Sequence, residues 1–342
     1  MRVVVIGGTG HIGSYLVPRL VRAGHEVVSI SRGQRPPYPA GTGADDSWAA
    51  VEQLVLDKDA EEQRGTFGAL VAGLRPDAVV DLLCYTMDSA TQLAAALRGS
   101  PAYLLHCGTI WVLGPATAVP VTEDVPRRPI LQYGVDKAAV EEFLLTETAQ
   151  GRLRATVLHP GHVVGPGWLP VNPAGYFRPA IYGQLARGEE VSLPHLGLET
   201  LHHVHADDVA QAFTLALDQP SQAIGQAFHV VSEQALTMRG FAAAVATWFG
   251  QDARLRYQPW ETWRQQHDPD DVEHTWNHLR HSPCISMAKA ARVLGYAPRY
   301  SSLDALYEAV AWLVDDGQIN TGGQPLRRSP AGEGVGPVPG PA

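Results

Sequence analysis

Short apolar runs alternate with amphipathic stretches along the first half of the chain. Residues 3–6 are all apolar within "RVVVIGG", and comparable runs follow in "HEVVSISR", "QLVLD", "DAVVDLL", "AYLLHCG" and "RATVLHP". Runs this short, bounded by glycine, proline or charged residues, predict buried strands. Between them, residues 11–23, 66–74, 88–98 and 133–150 carry apolar side chains at helical spacing. Strands apolar on both faces and separated by helices predict a doubly wound parallel α/β sheet with helices on both sides. Pro18 falls inside the first helix, where an interior proline costs about 3 kcal/mol and bends the axis.

The rhythm changes after Gly165. "GPGWLPVNPAGYFRP" has four prolines and little periodicity, so it predicts a loop insertion. "LHHVHADDVAQAFTLAL" turns a short strand into a helix, with Asp207 or Asp208 as the expected N-cap. "QAFHVVS" is one more strand. Residues 236–249 and 303–314 read as amphipathic helices, and "DPDDVEHTWNHLRHSP" between them is the least regular stretch. This pattern divides the chain into a dinucleotide-binding domain, residues 1–165 with about 200–232, and a smaller C-terminal lobe, residues 166–199 and 233–320. The last stretch, 321–342, is rich in glycine and proline and is expected to be disordered, with Arg327 and Arg328 solvated in it.

Composition narrows the class without naming a reaction. The 342 residues are 45% hydrophobic and 18% charged, an ordinary globular balance. A net charge of −9 disfavours nucleic acid and anionic membranes as partners. The three cysteines, Cys84, Cys107 and Cys284, form no paired spacing and fit a reducing compartment. No apolar run approaches the roughly 18 residues a spanning helix needs. The expectation is a cytoplasmic protein acting on a small molecule.

Chemistry enters with the glycines. Gly7, Gly10 and Gly13 are three apart, between a strand and a helix start. A dinucleotide pyrophosphate needs such a turn, with close backbone approach and a helix N-terminus aimed at it. A plain glycine-rich turn would look the same. At the end of the second strand, where an acidic residue would hold the ribose hydroxyls of NAD, stand Ser31 and Arg32. A hydroxyl and a guanidinium suit a 2′-phosphate, so NADP(H) is the preferred cofactor and NAD(H) the alternative. Arg32 as a solvated loop residue is the plain reading. Asp57, ending the third strand, is placed to hold the adenine amino group. Tyr133 and Lys137 are four apart and share a helix face. An ammonium beside a phenol lowers its pKa and makes it an acid/base at neutral pH. Thr109, just past the fifth strand, carries a hydroxyl suited to polarising a substrate oxygen, or to capping the strand end.

Together "GGTGHIG", "LVLD", "HCGTIWVLG", "YGVDK", "LHPGHVVGPG" and "HVHADDVA" resemble the extended short-chain dehydrogenase/reductase family, which includes epimerases, dehydratases and reductases. The resemblance covers about 310 residues when the C-terminal stretches "AFHVVSEQALTMRGFAAAVATWFG" and "KAARVLGYAPRYSSLDAL" are included. It implies a Rossmann domain with a substrate lobe. Tyr133 would be the general acid/base, Lys137 would bind the nicotinamide ribose and tune Tyr133, and Thr109 would stand at the Ser/Thr position. The cofactor would touch Thr9, His11 and Ile12 in the glycine loop, and Leu82 and Cys84 after the fourth strand. Pro160, Gly161, His162 and Val163 would lie near the nicotinamide. Substrate contacts would come from Tyr85, Trp111, His162, Trp168, Asn172, His195 and His202. Helices matching 88–98 and 133–150 pair between subunits in many relatives, which makes a homodimer an expectation.

Departures from the family pattern narrow the reaction. Dehydratases of the family follow the catalytic Thr with Asp-Glu, whereas Thr109 is followed by Ile110 and Trp111. Neither supplies the acid or base that elimination needs, which leaves hydride transfer. Leu113 replaces a frequent tyrosine. The arginine that often holds a nucleotide-sugar diphosphate is replaced by Leu201, with Arg178, Arg187 and Arg280 as conceivable substitutes. A free or glycosidic polyol, or another secondary alcohol, thus becomes the expected substrate. The expected activity is that of a reductase or dehydrogenase, with epimerisation through a transient ketone next. A non-catalytic cofactor sensor or RNA-associated protein is disfavoured by the intact Thr109, Tyr133 and Lys137 set. Fourteen histidines raise the question of a metal. His203, His205 and Asp207 have no third ligand at convincing spacing, and none is expected. Trp260, Trp263 and Trp276 are read as core.

Overall fold

A computed structural model describes residues 1–38 and 46–327. The first half alternates strands β1 (Arg2–Ile6), β2 (Glu26–Ser31), β3 (Glu52–Val55), β4 (Ala78–Asp81), β5 (Tyr103–Cys107) and β6 (Arg154–Pro160) with helices α1 (His11–Arg22), α2 (Lys58–Gln63), α3 (Phe67–Gly73), α4 (Met87–Leu97) and α5 (Gln132–Ala149). The second half adds β7 (His162–Val164), α6 (Ala180–Ala186), β8 (Glu190–Pro194), β9 (Thr200–Leu201), β10 (His203–His205), α7 (Ala206–Asp218), α8 (Pro220–Ala223) and β11 (Ala227–Val230). It ends with β12 (Leu236–Thr237), α9 (Met238–Trp248), β13 (Arg254–Gln258), α10 (Trp260–Trp263), α11 (Pro269–His281), α12 (Ala288–Leu294) and α13 (Ser302–Asp315).

Seven strands pair in the order β11-β6-β5-β4-β1-β2-β3, every pair parallel. Strand order reverses between β1 and β4, the point at which open α/β sheets bind ligands beyond their carboxyl ends. The fold is therefore a Rossmann-like doubly wound sheet. One apolar core lies between the sheet and the pair α1 and α7, with Leu16, Leu20, Val209 and Phe213 buried. Phe67, Val71, Leu93, Val140 and Leu144 fill the opposite face. Burying each such side chain contributes about 1.5–3 kcal/mol. Helix α1 runs through Pro18, which is buried.

A separate apolar cluster brings together α6, α9 and α13, with Tyr182, Phe241, Trp263, Leu306 and Leu313 buried. This smaller assembly gathers residues from 164 to 201 and beyond 236. The irregular stretch before α13 contains a full helix, α11, capped by the Asp268 carboxylate, with Pro269 in its first turn. Residues 321–327 are held against the lobe, since the Arg327 N–H donates to the Trp248 carbonyl at 2.7 Å. The expected disorder of 321–342 therefore does not extend to them. Arg328 and the remainder lie outside the described residues. No helix among the described residues is long and apolar enough to cross a membrane.

Two polar assignments change on folding. The N-cap of α7 is His205, whose Nδ1 accepts from the Asp207 N–H at 3.0 Å. Asp207 is instead drawn to Arg19, at 2.8 and 2.7 Å, and Asp208 accepts from the Arg299 and Tyr300 N–H groups. Asn172 is fully buried in the loop before α6. Its Oδ1 accepts from the Ala174 and Tyr176 N–H groups, and its Nδ2 donates to the Arg178 carbonyl. It organises loop backbone and is not among the residues that line the main cavity. Asn172→Ala leaves these buried groups unpaired and should destabilise the protein by about 2 kcal/mol or more, read as a lowered urea midpoint with an unchanged m-value.

Candidate active site

The glycine turn sets the site's position. Gly7 has φ +89°, a conformation that side chains with a Cβ rarely adopt. A Cβ at Gly13 would lie 2.5 Å from the Gly7 carbonyl oxygen, so only glycine lets α1 start this close to the end of β1. Gly10 is the N-cap of α1 and makes no side-chain cap, and the first turn has no acidic residue. The helix thus begins with N–H donors free of any side-chain anion, over a backbone that a phosphate can approach closely. The turn fits a pyrophosphate.

From this turn a cavity of about 460 Å³ runs past the ends of β4, β5 and β6. Leu82 and Tyr85 line it after β4, Cys107, Gly108 and Thr109 at and just past the end of β5, and Pro160, His162 and Val163 at and just past the end of β6. Tyr133 and Lys137 on α5 complete one wall, and Trp111, Trp168 and Phe177 contribute aromatic rings. A second hollow of about 270 Å³ adjoins it, with Leu83 and Tyr85 lining both. Ser31, Arg32, Leu56 and Asp57 line this hollow, at the ends of β2 and β3 where an adenosine would lie. Asp57 also caps α2 through the Ala60 N–H at 3.2 Å.

The hydroxyl pair is built by close packing. A Cβ at Gly134 would meet the Trp111 carbonyl oxygen at 2.5 Å, so this glycine lets the turn after Thr109 press against the start of α5. Thr109 is buried. Its N–H donates to His159 Nδ1 at 3.0 Å, and its Oγ accepts from the Trp111 N–H at 3.3 Å. His159 Nε2 faces the Glu141 carboxylate at 3.2 Å, which Arg127 holds by two nitrogens. Burial opposes ionisation of Glu141, yet His159 and Arg127 together hold its carboxyl well below the usual range.

Tyr133 lines the cavity and is 41% exposed. Burial pushes the phenol above its ordinary value, the Cys107 thiol adds to that rise, and the Thr109 hydroxyl works against it. Lys137 is buried, and its ammonium donates to the Cys84 and Cys107 carbonyls at 2.7 Å each. Two of its three N–H groups are therefore spent on backbone, and the ammonium also lies 4.7 Å from the Tyr85 ring centroid. Burial lifts the Cys84 thiol to about 12 and that of Cys107 to about 11, so both stay protonated at neutral pH. Cys84 reaches the site through its carbonyl and does not line the cavity.

Several expected contacts fall elsewhere. His202 is buried, taking the Ile285 N–H on Nδ1 and donating from Nε2 to the Ser232 carbonyl. His195 is exposed and paired with Glu199. Neither lines the cavity, and nor does Thr9. Arg178 pairs with Asp268 and Asp271, Arg187 with Glu189, and Arg280 with Asn277. No one of these arginines reaches the cavity. Trp263 is fully buried, and Trp276, 42% exposed, stacks on Trp260 at 5.1 Å, away from the cavity lining.

Other residues have no motif to mark them. Arg35 lines the cavity beside the glycine turn. Behind Trp111 lies a packed set of imidazoles. His281 stacks on it at 4.4 Å, with His278 at 5.3 Å and His162 at 6.0 Å. Burial, reinforced by neighbouring imidazoles, lowers His203 to about 3, His278 and His281 to about 4, and His162 well below its usual value. All four are neutral at pH 7. His162 donates from Nδ1 to the His202 carbonyl at 3.2 Å and lines the cavity. Among the described residues no group of three or more His, Cys, Asp or Glu side chains could hold a metal ion.

Residues 3–230 match the model of the NAD dependent epimerase/dehydratase family. The chain is 31% identical over 252 residues to a 2′-dehydrokanamycin reductase of Streptomyces kanamyceticus, covering 70% of this chain and 64% of that protein's length. It is 30% identical over 241 residues to a UDP-glucose 4-epimerase of Azospirillum brasilense, covering 63% and 68%. A solved UDP-glucose 4-epimerase from Stenotrophomonas maltophila, with bound NAD and formylated UDP-arabinopyranose, superposes with a TM-score of 0.71 at 21% identity, over 93% of this chain and 99% of that one.

The imidazole set makes stability pH-dependent. These histidines titrate near 6.5 when unfolded and near 3 to 4 when folded, so the unfolded chain binds more protons between those values. Stability should be fully present above about pH 6.5 and fall as the pH drops toward about 4. His281→Phe keeps the ring against Trp111, removes one titrating group and should flatten the slope, measured by urea unfolding from pH 7.5 down to about 4.5.

Proposed function

The chain belongs to the NAD-dependent epimerase/dehydratase family, and from that premise we propose that it reduces a ketone, or oxidises the matching secondary alcohol, on a sugar-like or other polyol substrate. The observation that carries this reading is the convergence of the Thr109 and Tyr133 hydroxyls on one cavity that begins at the glycine turn. The nicotinamide, when bound, donates or accepts the hydride. The chain's own residues manage the oxygen. Thr109 steadies the phenolic oxygen by hydrogen bonding, and Tyr133 passes its proton to the substrate oxygen as that oxygen gains charge. Lys137 has one N–H left beyond its two carbonyls, suited to a ribose hydroxyl and, with a ligand present, to the phenolate.

Ser31 and Arg32 in the second hollow support NADP(H) over NAD(H). The cavity lining supports an uncharged substrate with an apolar face. Its charged side chains among the described residues are Lys137 and Arg35, and Trp111, Val171 and Phe177 form much of the remainder of its far wall. The likeness to a 2′-dehydrokanamycin reductase favours the reductase reading. Epimerisation through a retained ketone is the second reading, favoured by the epimerase relative. The Ile110 and Trp111 side chains after Thr109 offer no acid or base for elimination.

Tyr133→Phe should lower turnover by about a hundredfold or more, and Thr109→Ala by a smaller factor, with cofactor binding retained. The measurement is nicotinamide absorbance during turnover of keto sugars and their glycosides. Full activity in Tyr133→Phe would overturn the mechanism. Substrate isomerisation without net absorbance change, with NAD(H) retained through purification, would select the epimerase reading instead.

A further inference from the structure

The glycine turn contains no cation of its own, although a dinucleotide pyrophosphate brings two negative charges. Lys137, at the other end of the cavity, is tied to backbone carbonyls. Arg32 lines the adjoining hollow and not the main cavity. Among the described residues, Arg35 is the other cation of the main cavity, and it stands with Gly7, Gly10, His11 and Gly13.

Arg35 is held in place. Its guanidinium carbon lies 4.3 Å from the Tyr38 ring centroid, and the guanidinium donates to the Tyr38 hydroxyl. The Tyr38 N–H donates to Ser14 Oγ at 2.8 Å, which pins this segment to the first turn of α1. Tyr38 also packs on His11, the first residue of α1, with ring centroids 5.4 Å apart. Trp168 also packs on His11, stacked at 5.5 Å with 12° between the planes. Tyr38 meets the Trp168 edge at 6.2 Å, which closes a triangle of rings. Burial, with the His205 ring and the Arg35 guanidinium nearby, brings His11 down to about 3, so a neutral ring sits beside the guanidinium.

The two outer rings belong to different parts of the chain. Tyr38 follows β2 of the sheet domain. Trp168 lies in the segment between β7 and α6, which also sends Val171 and Phe177 into the cavity wall. Trp168 is 42% exposed, so the triangle is closed from outside by one accessible indole.

We propose that Arg35 is a pyrophosphate-binding residue, and that Tyr38, His11 and Trp168 form an aromatic clasp over the glycine turn that limits how fast the dinucleotide leaves. The proposal rests on the dinucleotide reading above. It separates two arginines by ligand atom: Arg35 for the bridging phosphates, Arg32 for a 2′-phosphate. It also gives the segment that walls the substrate space a part in holding the cofactor.

The test uses the full-length chain, with binding of NADPH, NADH, ADP-ribose and adenosine 2′-monophosphate measured by fluorescence or calorimetry. Arg35→Gln should weaken NADPH, NADH and ADP-ribose by about tenfold or more, leave adenosine 2′-monophosphate unchanged, and reduce the salt dependence of dinucleotide binding. Trp168→Ala should speed NADPH release in stopped-flow displacement by about tenfold, and Trp168→Phe, which keeps a ring, should release at close to the original rate. Both positions are exposed, and a thermal melt of each variant checks that the fold is kept. The assignment of Arg35 is overturned if Arg35→Gln binds ADP-ribose as the unsubstituted chain does, or loses adenosine 2′-monophosphate instead. The clasp is overturned if Trp168→Ala leaves the release rate unchanged. If the unsubstituted chain binds none of the dinucleotides, the cofactor reading falls and the clasp with it, whereas binding unaffected by these changes removes the clasp alone.

Discussion

The contact on which the rest of the architecture depends is backbone against backbone, where α1 meets the turn that leaves β1. With no Cβ at Gly13, the helix can begin in contact with the Gly7 carbonyl, at the point where strand order reverses. That places the N-terminus of α1 over the carboxyl ends of β1 and β4. The ends of β5 and β6 then open into the same cavity and deliver Thr109 and Pro160. A methyl group at residue 13 would separate helix from turn and displace every wall that α1 supports, including the His11 ring.

Electrostatically the site is quiet. The two thiols are held protonated, the phenols of Tyr85 and Tyr133 are raised by burial, and the imidazoles behind Trp111 are neutral. Charge is confined to Lys137 and Arg35 among the described lining residues. In such surroundings a few fixed donors act strongly on an oxygen that becomes charged during reaction, because little else competes to solvate it. The glutamate beneath Thr109 is compensated by Arg127 and His159 and does not open into the cavity.

Legibility in the sequence followed the physical origin of each feature. The strands of the main sheet and helices α1, α3, α4 and α5 were readable because apolar periodicity reports burial directly. Thr109, Tyr133 and Lys137 were readable because their spacing places them relative to strand ends. Helix α11 was not regular to the eye, because the face it buries is made largely of His278, His281 and Thr275, where aliphatic residues would be usual. Asn172 and His202 serve backbone groups, as a buried amide or imidazole does as readily as it serves a ligand, and His195 is exposed and paired with Glu199. The cap of α7 went to His205 because both aspartates had stronger partners, a guanidinium for one and two backbone N–H groups for the other. Arg35 lies among prolines with no periodic context, and only the three-dimensional path of the chain brings it beside the glycine turn.

Helix α5 carries Tyr133, Lys137 and Glu141 at intervals of four, on one face. Glu141 is joined through His159 to the Thr109 N–H, so the threonine that partners Tyr133 is referenced to the tyrosine's own helix. His159 lies on β6 and Thr109 follows β5, so this contact ties the helix that carries Tyr133 to the sheet beside Thr109, and movement of α5 against the sheet would change the separation of two hydroxyls that lie 24 residues apart in the chain.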